Sequence, residues 1–311
     1  MKSLIAALVM FSISMSNAQY TKNNLKLESD GSKAKYHYQN LQLYPIRANA
    51  TFVADNKSVS KFETLKNALD KKKVVITEAN GGDVNSLFIE NISKDTVMIL
   101  SGEVVQGGKQ DRMVAQDVIL YPKSGKKDLS VFCVEHGRWQ PKESGMEFKK
   151  YYSISSNEVR KAATVKKDQH EVWNKVAETT MKNKATTSTG ALTALKESDD
   201  YNKELKKYTD YFESLIANEG DVIGMIAVSG ENVLGCDMFA THELFEKHYS
   251  NLINSYATEA ITTGKEVKLP SEKVNQYLLT IIEDESKQER EVQKKGIMLK
   301  DGQKKIHIST F

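Results

Sequence analysis

The sequence predicts an α+β protein: an antiparallel β-rich core, sandwich- or barrel-like, in the amino-terminal half, then amphipathic helices, a returning β-hairpin and carboxy-terminal strands. Three observations predict it. From Leu41 to Trp139 the chain breaks into short runs rich in Val, Ile and Phe, each bounded by turn residues. Past Trp139 the apolar residues recur with a helical period. At Asp221 the strand pattern resumes.

The β-rich part, about 41–139, contains LQLYPI, VVITEA ahead of Asn80-Gly81-Gly82, SLFIENIS, TVMILSGEVV ahead of Gly107-Gly108, DVILYP ahead of the KSGKK turn, and LSVFCVE. The Gly and Asn clusters supply the backbone conformations that turns need. The helical part, about 155–217, opens a helix with Asp168 and Glu171 in capping-box spacing and sets Val172, Val176 and Ala177 near Trp173 on one face. After the polar KATTSTGAL turn, Tyr201, Leu205, Tyr208, Phe212 and Leu215 form a stripe at helical spacing, the pattern of a core face. The third part, about 221–311, begins with DVIGMIAVSG and ENVLGCDMF, joined as a hairpin by Ser229-Gly230-Glu231-Asn232. Thr241 starts a helix bearing Leu244, Phe245, Tyr249, Leu252 and Tyr256. VNQYLLTII and the charged EDESKQEREVQKK follow, the latter read as a solvated helix face, and GIML, a KDGQ turn and KIHISTF close the chain. No long Pro/Gly/Ser linker and no repeat divides these parts, so residues 19–311 are expected to fold as one domain.

MKSLIAALVMFSISMSNA, residues 1–18, has the form of a secretory signal peptide: Lys2, an apolar core from Leu4 to Ile13, and small residues at Ser16 and Ala18 before Gln19. Its core is about half of the ~20 apolar residues a membrane span requires. Cleavage between Ala18 and Gln19 would deliver the protein to the periplasm or the exterior with no membrane anchor. Hydrophobic residues at 40%, charged residues at 27% and a net charge of +3 are ordinary globular values. No strong field therefore favours nucleic acid. In an oxidising compartment Cys133 and Cys236 are either bonded or two buried free thiols, and spacing alone leaves both open.

Most motif readings fail on spacing. GEVVQGGK has one residue too many between Gly102 and Gly108-Lys109 for a P-loop, and Gln110 stands where a magnesium-binding hydroxyl belongs. The six histidines are scattered, so no metal site is expected. On a strand Cys133 and His136 face opposite ways, which disfavours a Cys/His nucleophile pair.

What remains is a polar set at the ends of two β runs: Glu103, Lys109, Gln110 and Arg112 in one, Glu135, Arg138 and Trp139 in the other. As a ligand site it would clamp an anionic or nucleotide-like molecule, with Lys109, Gln110, Arg112 and Arg138 on the anion and Trp139 stacking a ring. Glu103 and Glu135 are its candidate acid and base. As a structural cluster it would be a buried ion-pair network with Trp139 in the core. The Gly107-Gly108 turn is expected to leave Lys109 and Arg112 near the surface, while Glu135 and Arg138 organise the strand end.

Several separated stretches, SGEVVQGGKQDRMVAQDVILYP, LSVFCVEHGRW, DQHEVWNKVA, TSTGAL, VLGCDMFATHELFEKHYSNLINSYATEAI and IHISTF, together resemble the ARG and rhodanese-phosphatase-superfamily-associated protein domain. The resemblance marks Gly102, Glu103, Lys109, Gln110, Arg112, Cys133, Glu135, Gly137, Arg138, Trp139, Thr189 and Asp237 as family-defining; His136 departs from the Gln typical of that position. It brings no established active site and no known cofactor, only an association with NAD or ADP-ribose chemistry. Two functions follow as expectations. One is a binding module of the cell envelope or exterior that holds a small molecule or an envelope protein. The other is an enzyme or accessory protein acting on NAD/ADP-ribose-like or phosphorylated substrates.

Overall fold

The computed structural model describes residues 19–28, 34–59, 61–141 and 145–311; the expected signal segment, 1–18, lies outside them. The fold is α+β, with three sheets. Among the described residues all strand pairs are antiparallel except Phe62–Thr64 with Thr96–Ile99.

The largest sheet joins the two ends of the chain. Its order is Leu25–Leu27, Leu41–Ala48, Val222–Ser229, Asn232–Phe239, Lys304–Thr310 and Gly296–Asp301, with His37–Tyr38 also paired to Leu41–Ala48. The LQLYPI run therefore does not pair with the strands that follow it in sequence. It lies beside the strand that begins at Val222. That central strand is buried at every position because helices cover both faces. His242–Thr263, capped by the Thr241 hydroxyl, packs with Met225 and Ala227 on one side. Ser271–Ile282 packs with Ile223, Ile226 and Val228 on the other. Each such buried side chain contributes ~1.5–3 kcal/mol of hydrophobic stabilisation. Gly224 is required by close approach, since a Cβ there would lie 2.3 Å from the Asp237 carbonyl oxygen.

At the edge of this sheet the Gln19 side-chain amide donates to the Lys305 carbonyl and accepts from the Lys305 N–H, both at 2.8 Å. The Tyr20 carbonyl accepts from the buried Gln288 amide. Residues 286 positions apart are thus stitched backbone to side chain.

The six-stranded sheet runs Phe148–Ile154, Glu103–Gly107, Arg112–Val114, Gly125–Cys133, Ser86–Asn91 and Val74–Glu78. It curls until its edges meet, where Thr77 bridges Glu147 and the Glu78 N–H donates to the Met146 carbonyl. Strand alternation fills it: Val105, Val114, Val131 and Phe148 point inward, where Leu65 and Ala68 of the helix Leu65–Asp70 also pack. Val104 and Met113 point outward against Val172 and Val176 of the helix Gln169–Lys182. Asp168 caps that helix through the amides of His170 and Glu171. The Glu171 carboxylate, however, pairs with Lys166 rather than completing a reciprocal box. In the helix Asp199–Phe212, Tyr201, Tyr208 and Phe212 are buried as the stripe predicts, while Leu215 packs from just beyond the helix end.

Candidate functional site

The CVEHGRW stretch leaves the six-stranded sheet at Cys133. The Gln169 side chain completes the ladder there, accepting from the Cys133 N–H at 2.8 Å and donating to its carbonyl at 2.9 Å. Both cysteines are free thiols and buried. Burial pushes the Cys133 thiol up to about 11, which disfavours the thiolate a nucleophile needs.

After Cys133 the chain turns against the segment 187–192. Glu135 bridges Ala191, and the Gly137 N–H donates to the Thr189 carbonyl at 2.8 Å. A Cβ on Gly137 would sit 3.0 Å from the Thr189 Cα, so the pairing of this glycine and threonine is one of close approach. Arg138 is then placed under the Gly107-Gly108 turn. Its Nε and one terminal nitrogen fork onto Glu135 Oε2 at 2.9 and 2.6 Å, and the same nitrogen reaches Asp111 Oδ1 at 3.3 Å. The guanidinium also donates to the carbonyls of Gly107, Gly108 and Gln140. Asp111, fully buried, accepts from the Gly107 N–H at 3.2 Å and the Thr193 hydroxyl at 2.9 Å, and its own N–H donates to Glu135. Gly108 has φ +46°, and a Cβ there would meet the Phe148 ring at 2.4 Å and Glu78 Oε1 at 2.5 Å. The turn is a covered one.

That cover overturns one expectation: Arg112 is fully buried, not near the surface. One of its terminal nitrogens donates to Gln110 at 3.1 Å; the other lies 3.7 Å from Glu78. Gln110 is buried as well, donating to the His136 carbonyl. Among the described residues Arg112 Nε and Glu78 Oε2 have no hydrogen-bond partner. Trp139 lies above, 40% exposed and so not a core residue, with the Arg112 guanidinium 5.6 Å and the Lys109 ammonium 5.3 Å from its ring centre. His136 faces outward and packs edge-on against Trp173.

Glu103 does not join this group. It starts the strand at whose far end the Gly107 turn lies, about 13 Å away at ~3.3 Å per residue. Its carboxyl accepts from the Leu100 N–H at 2.8 Å and the Tyr151 hydroxyl at 3.2 Å. Burial raises it to about 8, against those two hydrogen bonds and with help from nearby Asp117.

Beside Glu103 lies a second network with no exposed member. Arg160, in the short helix Asn157–Lys161 just before a π-helical turn, donates to Asp237 at 3.1 Å and to Ser309 at 3.1 Å. Tyr256 donates to the other Asp237 oxygen. His307 links Asp237, at 3.2 Å, to Asp117, at 2.5 Å. Burial lowers the affinity of His307 for its proton, but Asp117 and Asp237 outweigh it and raise the pKa to about 9. Burial likewise acts to raise Asp237, yet Arg160 and His307 hold it well below the usual carboxylate range. The Phe239 ring stacks between His307 and His248; burial, with the His307 charge, pushes His248 down to about 3.

The structure thus gathers Lys109, Gln110, Arg112, Glu135, Arg138 and Trp139 and sets Glu103 apart. Asp111, Glu78 and Thr193 are central residues that sequence reasoning missed, although Asp111 sits between two named residues. Asp237 was marked without a partner. Among the described residues no three His, Cys, Asp or Glu side chains are grouped to hold a metal, and no helix is long and apolar enough to cross a membrane.

The model of the ARG and Rhodanese-Phosphatase-superfamily-associated Protein domain matches residues 32–309, and the chain belongs to that family. No curated protein and no solved structure matches it.

Proposed function

We propose that this family member is an exported, non-catalytic binding module whose CVEHGRW cluster is mostly scaffold and whose ligand-facing part is Lys109 with Trp139. One observation carries the reading. Glu103 and Glu135 are buried in separate hydrogen-bonded networks, Glu103 at the end of its strand opposite the Gly107 turn that Arg138 and Glu135 hold, so they do not form an acid and base pair at one open site. Trp139 and Lys109, by contrast, offer a half-exposed indole beside an ammonium, a surface suited to an anionic aromatic ligand of the nucleotide or ADP-ribose kind. Export rests on the Lys2, apolar-core and Ser16-Asn17-Ala18 pattern.

A thermal-shift panel of nucleotides, ADP-ribose and sugar phosphates tests the binding reading, because a ligand of the folded state raises the melting temperature. Lys109→Ala and Trp139→Ala should abolish the shift while leaving the free protein folded. A shift that survives both, or turnover of any panel member, would overturn it. Mass spectrometry of the native protein tests export, which fails if residues 1–18 remain on the exported chain.

A further inference from the structure

A cavity among the described residues lies apart from the CVEHGRW cluster. It is a cleft of about 700 Å³ walled by the helices Asn157–Lys161, Gln169–Lys182 and His242–Thr263 and by the hairpin turn 229–232. That volume is in the usual range for small-molecule sites, roughly 300–1,000 Å³.

Three features of the cleft point to one kind of occupant. The first is Glu259, 4% exposed, in its wall. Among the described residues its side-chain oxygens accept only from the Glu158 N–H at 3.1 Å and the Thr263 hydroxyl at 2.7 Å, and no side-chain cation lies within 4.0 Å. A buried carboxylate without a cation is costly, so the site favours a cation brought from outside. The cations on the same wall are already engaged: Lys161 pairs with Glu158, and Lys175 with Glu158 and Glu178. The second feature is Lys265 on the rim, exposed and with no ion pair among the described residues. The third is the strand end that lines the cleft. Asn232–Phe239 is paired to the 304–310 strand only from Cys236 onward, so Val233, half-buried, stands at an edge without a ladder partner on that side. The Leu234 carbonyl on that stretch is met by the Asn157 amide.

We propose that this cleft binds a short peptide through its free α-amino group: the ammonium against Glu259, the chain along the open edge at Val233 with an apolar side chain on Leu234, which packs on the His242–Thr263 side of the sheet, and the terminal carboxylate toward Lys265. An added strand draws its affinity from main-chain hydrogen bonds, and the two charged ends fix its direction. This site is independent of Lys109 and Trp139.

Calorimetric titration with the tripeptide leucyl-alanyl-alanine, its N-acetyl form and its C-terminal amide tests the proposal. The free tripeptide should bind. Acetylation or Glu259→Gln should weaken binding about tenfold or more, as expected for loss of a close charge pair in a cleft. The amide and Lys265→Ala should each weaken it by less, and Lys109→Ala should leave it unchanged. Lys265 is exposed, so its variant reports on binding even if Glu259→Gln fails to fold. No binding at millimolar tripeptide, or equal binding of the acetylated form, would overturn the proposal. Loss of binding in Lys109→Ala would return the ligand to the signature cluster.

Discussion

The arginine–carboxylate networks of Arg138 and Arg160 differ in what they join. The Arg138 network connects residues 107–111 with 135–140 and Thr193, and Arg138 keeps a little solvent contact, with 12% of its side chain exposed. The Arg160 network draws together two helices, two strands of the large sheet and the Asp117 loop, and its side chains are sealed from water. The first is a local clasp on a loop; the second is a bolt between distant parts of the chain. The same chemical pair therefore costs more to disturb where the fold has removed the solvent that would replace it.

The largest effect should come from removing the strand that carries His307 and Ser309 of the sealed network. Deleting Lys304–Phe311 takes away His307, Ser309 and the ladders to Asn232–Phe239 and Gly296–Asp301. That loss should exceed the ~5–15 kcal/mol stability of a typical domain. Circular dichroism melting should show no cooperative transition, and an unchanged melt would break the comparison outright.

Arg160→Ala comes next. It leaves Asp237 buried without its arginine and should cost about 3–5 kcal/mol in denaturant unfolding. Arg138→Ala should cost less, ~2–3 kcal/mol, because water can reach the vacated clasp. Arg138→Lys should recover only part of that, since an ammonium cannot reproduce the planar fork on Glu135. Equal costs at Arg160 and Arg138 would erase the distinction between bolt and clasp.

Acidity offers a third way to separate the two. His307 has its folded pKa raised to about 9 from an ordinary value of ~6.5, so its contribution to stability is whole below pH ~6.5 and is lost as pH rises through about 9. Glu103, raised to about 8, acts in the same direction: the unfolded carboxyl ionises near ~4.3 while the folded one keeps its proton, and stability falls as pH climbs from there toward about 8. Unfolding midpoints should therefore decline between about pH 6.5 and 9, and His307→Gln should flatten the upper part of that decline. A wild-type midpoint that is level across this window would show that the sealed network carries no proton-linked stability. The smallest effect should be Lys109→Ala, within about 0.5 kcal/mol in the same assay. A larger loss there would make the ammonium over Trp139 part of the clasp.

What could be read in the sequence was what lies close along the chain. The hairpin at Gly230, the Thr241 cap and the aromatic stripe of Tyr201, Tyr208 and Phe212 all obey periods and turn rules that act over a few residues. CVEHGRW was recognisable as a unit for the same reason, and Glu135 with Arg138 sits one helical-turn distance apart in sequence. The bolt was not recognisable: Arg160, Asp237 and His307 look ordinary in their own segments, and only the sheet order brings them together. Glu103 and Glu135 both stand at strand ends in the sequence, yet the strand Glu103–Gly107 sets Glu103 apart from the Arg138 cluster. Arg112 was misplaced because a glycine turn reads as surface, and here Phe148 and Arg138 cover it.

The stitch between Gln19 and Lys305 has a consequence for how such a chain comes into being. A polypeptide is made in one direction, and Leu41–Ala48 must wait for Val222–Ser229 before it has its central neighbour. Gln19 waits longer still, for a residue 286 positions later. Until then the largest sheet has open edges and no sealed interior. Contacts of such long sequence separation carry a large loop-closure cost, which slows folding as a class. Whatever holds the unfinished chain meanwhile must keep those edges from pairing with a neighbour's.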